Sequence, residues 1–259
     1  MPTSKSTKKN LRQARIPRIS TRGYYDLATG KTLKKKLYDL YPKKFFEKEL
    51  GNYREFTIVV HGMRNDKQGA LEKFKIVQKR LRQLRYKYPV IGFSYDSNIK
   101  GIQYEATISH ATMVGKIVAR KNGANLARFI TDFKKNYPSV KIRLIGHSLG
   151  TEVIAHSISC LKNKKDMVEA VYFFGSSLET NSLKLSNFGN IFQNVVRQKI
   201  LNYYSKNDVV LQNSYKNHIA DAPLGYLGGA AVISKYFQKH VMVKNHRFRS
   251  YVAELNSYP

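Results

Sequence analysis

The stretch "KIRLIGHSLGTEVIAHS", Lys141 to Ser157, decides how the rest of the chain is read. Its first half is a short apolar run that ends at Gly146. Its second half sets Ile154 and Ile158 at helical spacing, with Leu161 beyond. Between them stands Gly146-His147-Ser148-Leu149-Gly150, a G-x-S-x-G pentapeptide. Alone it is weak. With glycine and serine each near roughly 7% of residues, a chain of this length carries one by accident about one time in ten. Its position is what informs. A strand that turns straight into a helix exposes a serine Oγ only if the residues two positions to either side are small, because larger ones would meet the adjoining strand and helix. A helix beginning at Leu149 also aims its free N–H groups at that hydroxyl, where an oxyanion would be stabilised. Ser148 is therefore read as a nucleophile. The competing reading is a nucleotide-binding βα turn, but spacings that cradle phosphate, such as G-x-G-x-x-G, are absent.

Outward from this stretch the chain alternates. "FTIVVHG" is an apolar run ending at Gly62, followed by Leu71, Phe74, Val77, Leu81 and Leu84 on one helical face. "PVIGFSYDS" is the next strand candidate. A long helical region follows, read as interrupted at Asn122-Gly123. After the central stretch come "VEAVYFFG", "KILNYYS" and a weaker strand candidate, "HVMVKN". Apolar strands alternating with amphipathic helices predict an α/β fold, a mostly parallel central sheet with helices on both faces. Function in such sheets collects at the carboxyl ends of the strands.

That rule ranks the seven histidines. His147 lies inside the turn and is expected to point away from the nucleophile. His110 and His156 lie within helices, His61 ends an early strand, and His218 sits in an irregular segment. His240 begins the last strand candidate and so falls at the wrong edge. His246, in "VKNHRFRSY", follows that strand and is chosen as the base, with His240 as the alternative. The acid that fixes the tautomer of the base is Asp208, after the fifth strand candidate, with Glu179 as the rival. Two N–H groups complete an oxyanion hole, that of Leu149 and that of Met63 in "VVHGMRND". Arg64, Asn65 and Asp66 stand at the mouth, to hold the loop or touch substrate. No cofactor and no metal are expected.

Together "VVHGMRND", "IGFSYDS", "IRLIGHSLGTEV", "YYSKNDVVL" and "NHRFRSY" resemble the α/β-hydrolase superfamily, closest to its lipase-like serine-hydrolase branches, from about Glu55 to Tyr251. The resemblance implies an ester hydrolase working through an acyl-enzyme. Ser148 attacks the acyl carbon, His246 shuttles the proton, Asp208 orients His246, and the Met63 and Leu149 N–H groups bind the oxyanion. The chain departs from the superfamily in that its early strands are hard to find before Thr57. The long interval between Asp208 and His240 also departs from it. On a single domain spanning 23–259, segments 178–198 and 209–239 are candidate lids or flaps; for the first a crossover helix packed on the sheet is the favoured reading, for the second a flap.

Charge and composition bound the rest. The chain of 259 residues has 46 Lys and Arg against 17 Asp and Glu, a net of +29. Residues 1–22 read as a flexible basic tail, with an organelle transit peptide as the alternative. The single cysteine, Cys160, cannot form an internal disulfide and reads as a buried packing residue. With no signal peptide and no apolar run long enough to span a bilayer, the expectation is a cytoplasmic protein. The basic excess predicts an anionic partner. The substrate expected is a small-molecule or lipid ester; contact with an anionic membrane surface, where each nearby cation contributes about 1 kcal/mol, stands beside a bland reading of the charge as a general solubility bias. The alternative is a non-catalytic hydrolase-fold protein holding nucleic acid through its basic tail and Lys34-Lys35-Lys36.

Overall fold

The computed structural model describes residues 16–99, 101, 104–230 and 233–259. Two short strands come first, β1 (Arg18–Ser20) and β2 (Asp39–Tyr41), then helix α1 (Lys43–Lys48). Next are β3 (Glu55–Val60), α2 (Lys67–Gln83), β4 (Val90–Ser94) and the long α3 (Ile108–Asn136). The centre is β5 (Lys141–His147), α4 (Leu149–Cys160), β6 (Val168–Phe174), α5 (Asn190–Val195) and β7 (Val196–Tyr204). The last third holds α6 (Val209–Lys216), α7 (Leu224–Leu227), β8 (Tyr236–His240) and α8 (Phe248–Ala253).

The strands form one sheet in the order β2-β1-β4-β3-β5-β6-β7-β8. Only the β1–β2 pairing is antiparallel; the other neighbours run parallel. Strands β3, β4 and β6 are buried along their whole length, as a sheet covered on both faces requires. Alternation along each strand divides the core in two. Ile58, Val60, Leu144 and Phe173 pack under α3, α4 and α5. Val59, Ile145, Tyr172 and Phe174 pack under α2 and α8. Asp66 caps α2 by accepting from the Gly69 N–H at 2.7 Å. No helix among the described residues is long and apolar enough to cross a membrane.

Four expectations need correction. Residues 1–15 of the basic tail lie outside the described residues, but 16–22 are not a tail. Ile16 and Ile19 are buried and β1 adds to β4. A three-residue strand is too short to show a period, which is why it was not legible. Helix α3 runs unbroken through Asn122-Gly123. A Cβ on Gly123 would stand 2.9 Å from the Val153 carbonyl oxygen and the Ser157 nitrogen, so glycine there marks close helix packing on α4, not a break. The last strand is Tyr236–His240, not "HVMVKN". It is a polar edge strand, and the apolar Val241 and Val243 that suggested a strand are buried loop residues. Cys160 is exposed, because its position two residues after buried Ile158 turns it to the opposite face of α4. In segment 178–198, Phe192 and Val195 are fully buried, and α5 packs on the core as the crossover helix that the sequence favours over a lid.

Candidate active site

Ser148 joins β5 to α4 with φ 51° and ψ −127°, a left-handed backbone that a side chain adopts only when held there. The surroundings hold it. Its N–H donates to the Phe174 carbonyl at 3.1 Å, and its own carbonyl accepts from the Thr151 hydroxyl at 2.7 Å and the Ser177 hydroxyl at 3.2 Å. A Cβ on Gly150 would stand 2.5 Å from the Val60 carbonyl oxygen, so the turn closes only with glycine there.

Three side chains meet at this edge. His246 Nε2 lies 2.9 Å from Ser148 Oγ. Its Nδ1 lies 2.6 Å from Asp208 Oδ2. Asp208 is fully buried, and a carboxylate oxygen can only accept, which places the histidine proton on Nδ1 and leaves Nε2 able to take the serine proton. The other Asp208 oxygen accepts from the Leu211 N–H at 3.1 Å, so the same carboxylate caps α6. Tyr251, on α8, donates to Asp208 Oδ2 at 2.6 Å. Burial, and then the Asp208 charge, push the Tyr251 hydroxyl well up, so it stays a donor.

His147 does not point away. Its Nε2 donates to the His246 carbonyl at 2.8 Å and its ring stacks on Phe248 with centroids 4.7 Å apart. Burial, and then the neighbouring His246, hold His147 well below the ordinary histidine range, so it is a neutral donor. His240 ends β8 rather than beginning a strand, and so reaches the carboxyl edge; its ring lies 5.2 Å from that of Tyr204. Glu179 is exposed, and its backbone bridges to Pro223.

The loop after β3 runs alongside. A Cβ on Gly62 would stand 2.9 Å from the Ser148 Cβ. The Gly62 carbonyl accepts from three side chains: His61 Nδ1 at 2.9 Å, Asn65 Nδ2 at 3.0 Å and Ser97 Oγ at 2.9 Å. In a trans peptide the next N–H points opposite to the carbonyl. Three donors on one side therefore turn the Met63 N–H to the other. Neither that N–H nor that of Leu149 has an acceptor among the described residues. Asn65 and Asp66 hold the loop, whereas Arg64 lines the cavity.

A cavity of about 450 Å³ opens on Ser148 and His246. Met63, Ile108, Leu149, Val210 and Ile219 make its walls largely apolar, with Arg64 and Lys116 as its charged members. Residues 210–220 line it, so of the two candidate flaps only the second borders the site. Among the described residues no three His, Cys, Asp or Glu side chains stand together as a metal site.

Sequence reasoning missed Tyr251, His147 and Ser97. Tyr251 ends the quoted "NHRFRSY", five residues after the histidine, and its spacing was the available signal. The others act through contacts between distant segments.

Residues 96–238, a little over half of the chain, match the family described as "Protein of unknown function (DUF726)". The chain belongs to the DUF726 family. The segment shared with DUF726 includes Ser148 and Asp208 and ends before His246. No curated protein matches the chain significantly. Among solved structures, this DUF726 member is similar to a lipase-esterase related protein from Clostridium acetobutylicum ATCC 824, at 14% identity over 78% of this chain and 91% of that one, TM-score 0.40. TT1662 from Thermus thermophilus is similar at 11% identity over 78% and 85%, TM-score 0.47. Aspergillus fumigatus lipase B is similar at 12% identity over 75% of this chain and 46% of that one, TM-score 0.42. Likeness at this level concerns the arrangement of the sheet and helices, not chemistry.

Proposed function

We propose that this protein is a serine hydrolase that cleaves carboxylic esters through an acyl-enzyme. The observation that carries the reading is the continuous relay from buried Asp208 through His246 to Ser148, at 2.6 Å and 2.9 Å, opening on a largely apolar cavity. Ser148 Oγ attacks the acyl carbon while its proton passes to His246 Nε2. The carbonyl oxygen becomes an oxyanion within reach of the Met63 and Leu149 N–H groups. Such a donor is worth about 10²–10³ in rate. As the tetrahedral species collapses, the bond to the leaving alcohol breaks and His246 returns the proton to it. Water then gives a proton to His246 as its oxygen attacks the acyl carbon; the bond to Ser148 Oγ breaks, His246 returns the proton to Oγ, and the acid is released. Asp208 stays ionised throughout and holds the imidazolium.

The cavity supports an acyl group of moderate size. Val209, Val210 and Tyr215 are exposed on α6, which borders it, and the chain carries +29. Both features favour esters presented in, or resembling, anionic lipid.

The test is covalent labelling with a fluorophosphonate, which reacts only with an activated serine. Wild type is expected to label in one-to-one ratio and Ser148→Ala not at all. A panel of ester chain lengths then reads the acyl preference. Labelling that survives Ser148→Ala, or a folded wild type that never labels, would overturn the proposal.

A further inference from the structure

We propose that the amino-terminal edge of the sheet carries a second binding site, one for a small polyphosphate-bearing anion. A cavity of about 340 Å³ lies where β3 and β5 begin, beyond the end of α2. It is one strand length, about 20 Å, from Ser148. Five of its ten lining residues are basic: Arg54, Arg85, Lys87, Lys141 and Arg143. In the whole chain only 46 of 259 residues are basic, and the larger cavity at Ser148 has two among its lining. The concentration is therefore local and not a sample of the general excess.

Three of the five cations are not neutralised in place. Glu55 is the only acidic side chain among the lining residues. It is engaged by Arg143, whose Nε and Nη2 each donate to it at 3.2 Å. Lys141 lies 3.5 Å from Glu169. Arg54, Arg85 and Lys87 have no acidic partner among the described residues. The end of α2 supplies roughly half a negative charge, which accounts for at most one of these three. Deeper in, the Arg143 guanidinium and the Tyr172 hydroxyl are buried against one another. Edge-to-face packing of Tyr86 and Tyr258, with ring centroids 4.9 Å apart, makes a firm wall.

Convergence on one hollow, rather than a basic track, selects a compact anion over a nucleic-acid strand, which needs an extended groove. Phosphate oxygens accept from several guanidinium and ammonium donors at once.

Arg85 supplies an unusually clean test. It ends α2 with φ 63°; its N–H donates to the Arg82 carbonyl and the next N–H, of Tyr86, reaches back to Leu81, both at 2.9 Å. Glycine is the usual residue at such a helix end, and another residue costs about 1 kcal/mol there. Arg85→Gly therefore removes a cation while relaxing the backbone.

The experiment is calorimetric titration with inorganic pyrophosphate at about 150 mM salt, where weak surface attraction is largely screened. Wild type is expected to bind one equivalent saturably. Arg85→Gly should bind at least about tenfold more weakly, with an unchanged or higher melting temperature. Arg54→Gln should weaken binding further. Ser148→Ala should bind as wild type does, which separates this site from the hydrolytic reading. The proposal is overturned if wild type shows no saturable binding, or if the Arg54→Gln/Arg85→Gly double variant matches it. It is equally overturned if a single-stranded oligonucleotide binds at this edge and pyrophosphate does not compete.

Discussion

Replacing Asp208 by asparagine tests the relay more sharply than removing it, because the surrounding donors dictate how the amide must sit. The carboxylate accepts on both sides, from the Leu211 N–H on Oδ1 and from His246 and Tyr251 on Oδ2. Asparagine offers one acceptor. If its oxygen faces His246, its amino group faces the Leu211 N–H, two donors collide, and the cap of α6, worth about 1 kcal/mol, is lost. If its oxygen keeps the Leu211 bond, the amino group faces Tyr251, whose hydroxyl can turn and accept, and His246 Nδ1, which must then accept too. The second arrangement satisfies every group and should prevail. It moves the histidine proton to Nε2, the nitrogen that must take the serine proton. A wrong tautomer of this kind costs on the order of 10⁴ in kcat, about 5.5 kcal/mol of transition-state stabilisation. Asp208→Asn is thus expected to fold with stability within about 1 kcal/mol of wild type. Its labelling by fluorophosphonate and its ester turnover should slow by about 10⁴ with KM little changed. Turnover within tenfold of wild type in a properly folded Asp208→Asn would refute the reasoning.

Asn65→Ala removes two donors from the loop, to the Gly62 and Met63 carbonyls at 3.0 Å and 2.8 Å, and loosens the peptide that carries the Met63 N–H. Its kcat should fall about tenfold with KM unmoved, since only the oxyanion is served; a rise in KM alone would count against that role. Acid should destabilise the fold through its buried histidines. His61 is lowered to about 3, chiefly by burial, so its contribution is complete above the ordinary histidine range and is lost as pH falls toward 3. That amounts to about 2 kcal/mol at pH 5, and His147 acts in the same direction. Glu152, raised to about 7 chiefly by burial, works the other way and offsets about 2 kcal/mol between pH 7 and 5. Urea unfolding at the two pH values should therefore show a loss that becomes steeper in Glu152→Gln; stability that rises in that variant as pH falls would contradict it.

What the chain discloses in sequence follows the range of the interactions involved. Buried parallel strands such as "FTIVV" and "VEAVYFF" announce themselves because burial on both faces demands unbroken apolar runs. The turn at Ser148 is legible for a related reason: its geometry tolerates few residue types, and they lie within five positions. Edges are not legible. β2 and β8 are short or polar, and their pairing is decided by neighbours far away in sequence. The same holds for the supporting groups of the site. His147 is adjacent to Ser148, yet its partner is a backbone carbonyl ninety-nine residues on, and no local pattern encodes that. Ser97 reaches the Gly62 carbonyl across thirty-five residues. Reacting groups must be particular side chains, so they leave a trace in composition and order. The groups that hold them need only donate a hydrogen bond, which many residues can do. Once this difference is recognised, an unexplained carbonyl with three converging donors is the better place to look for function than another histidine.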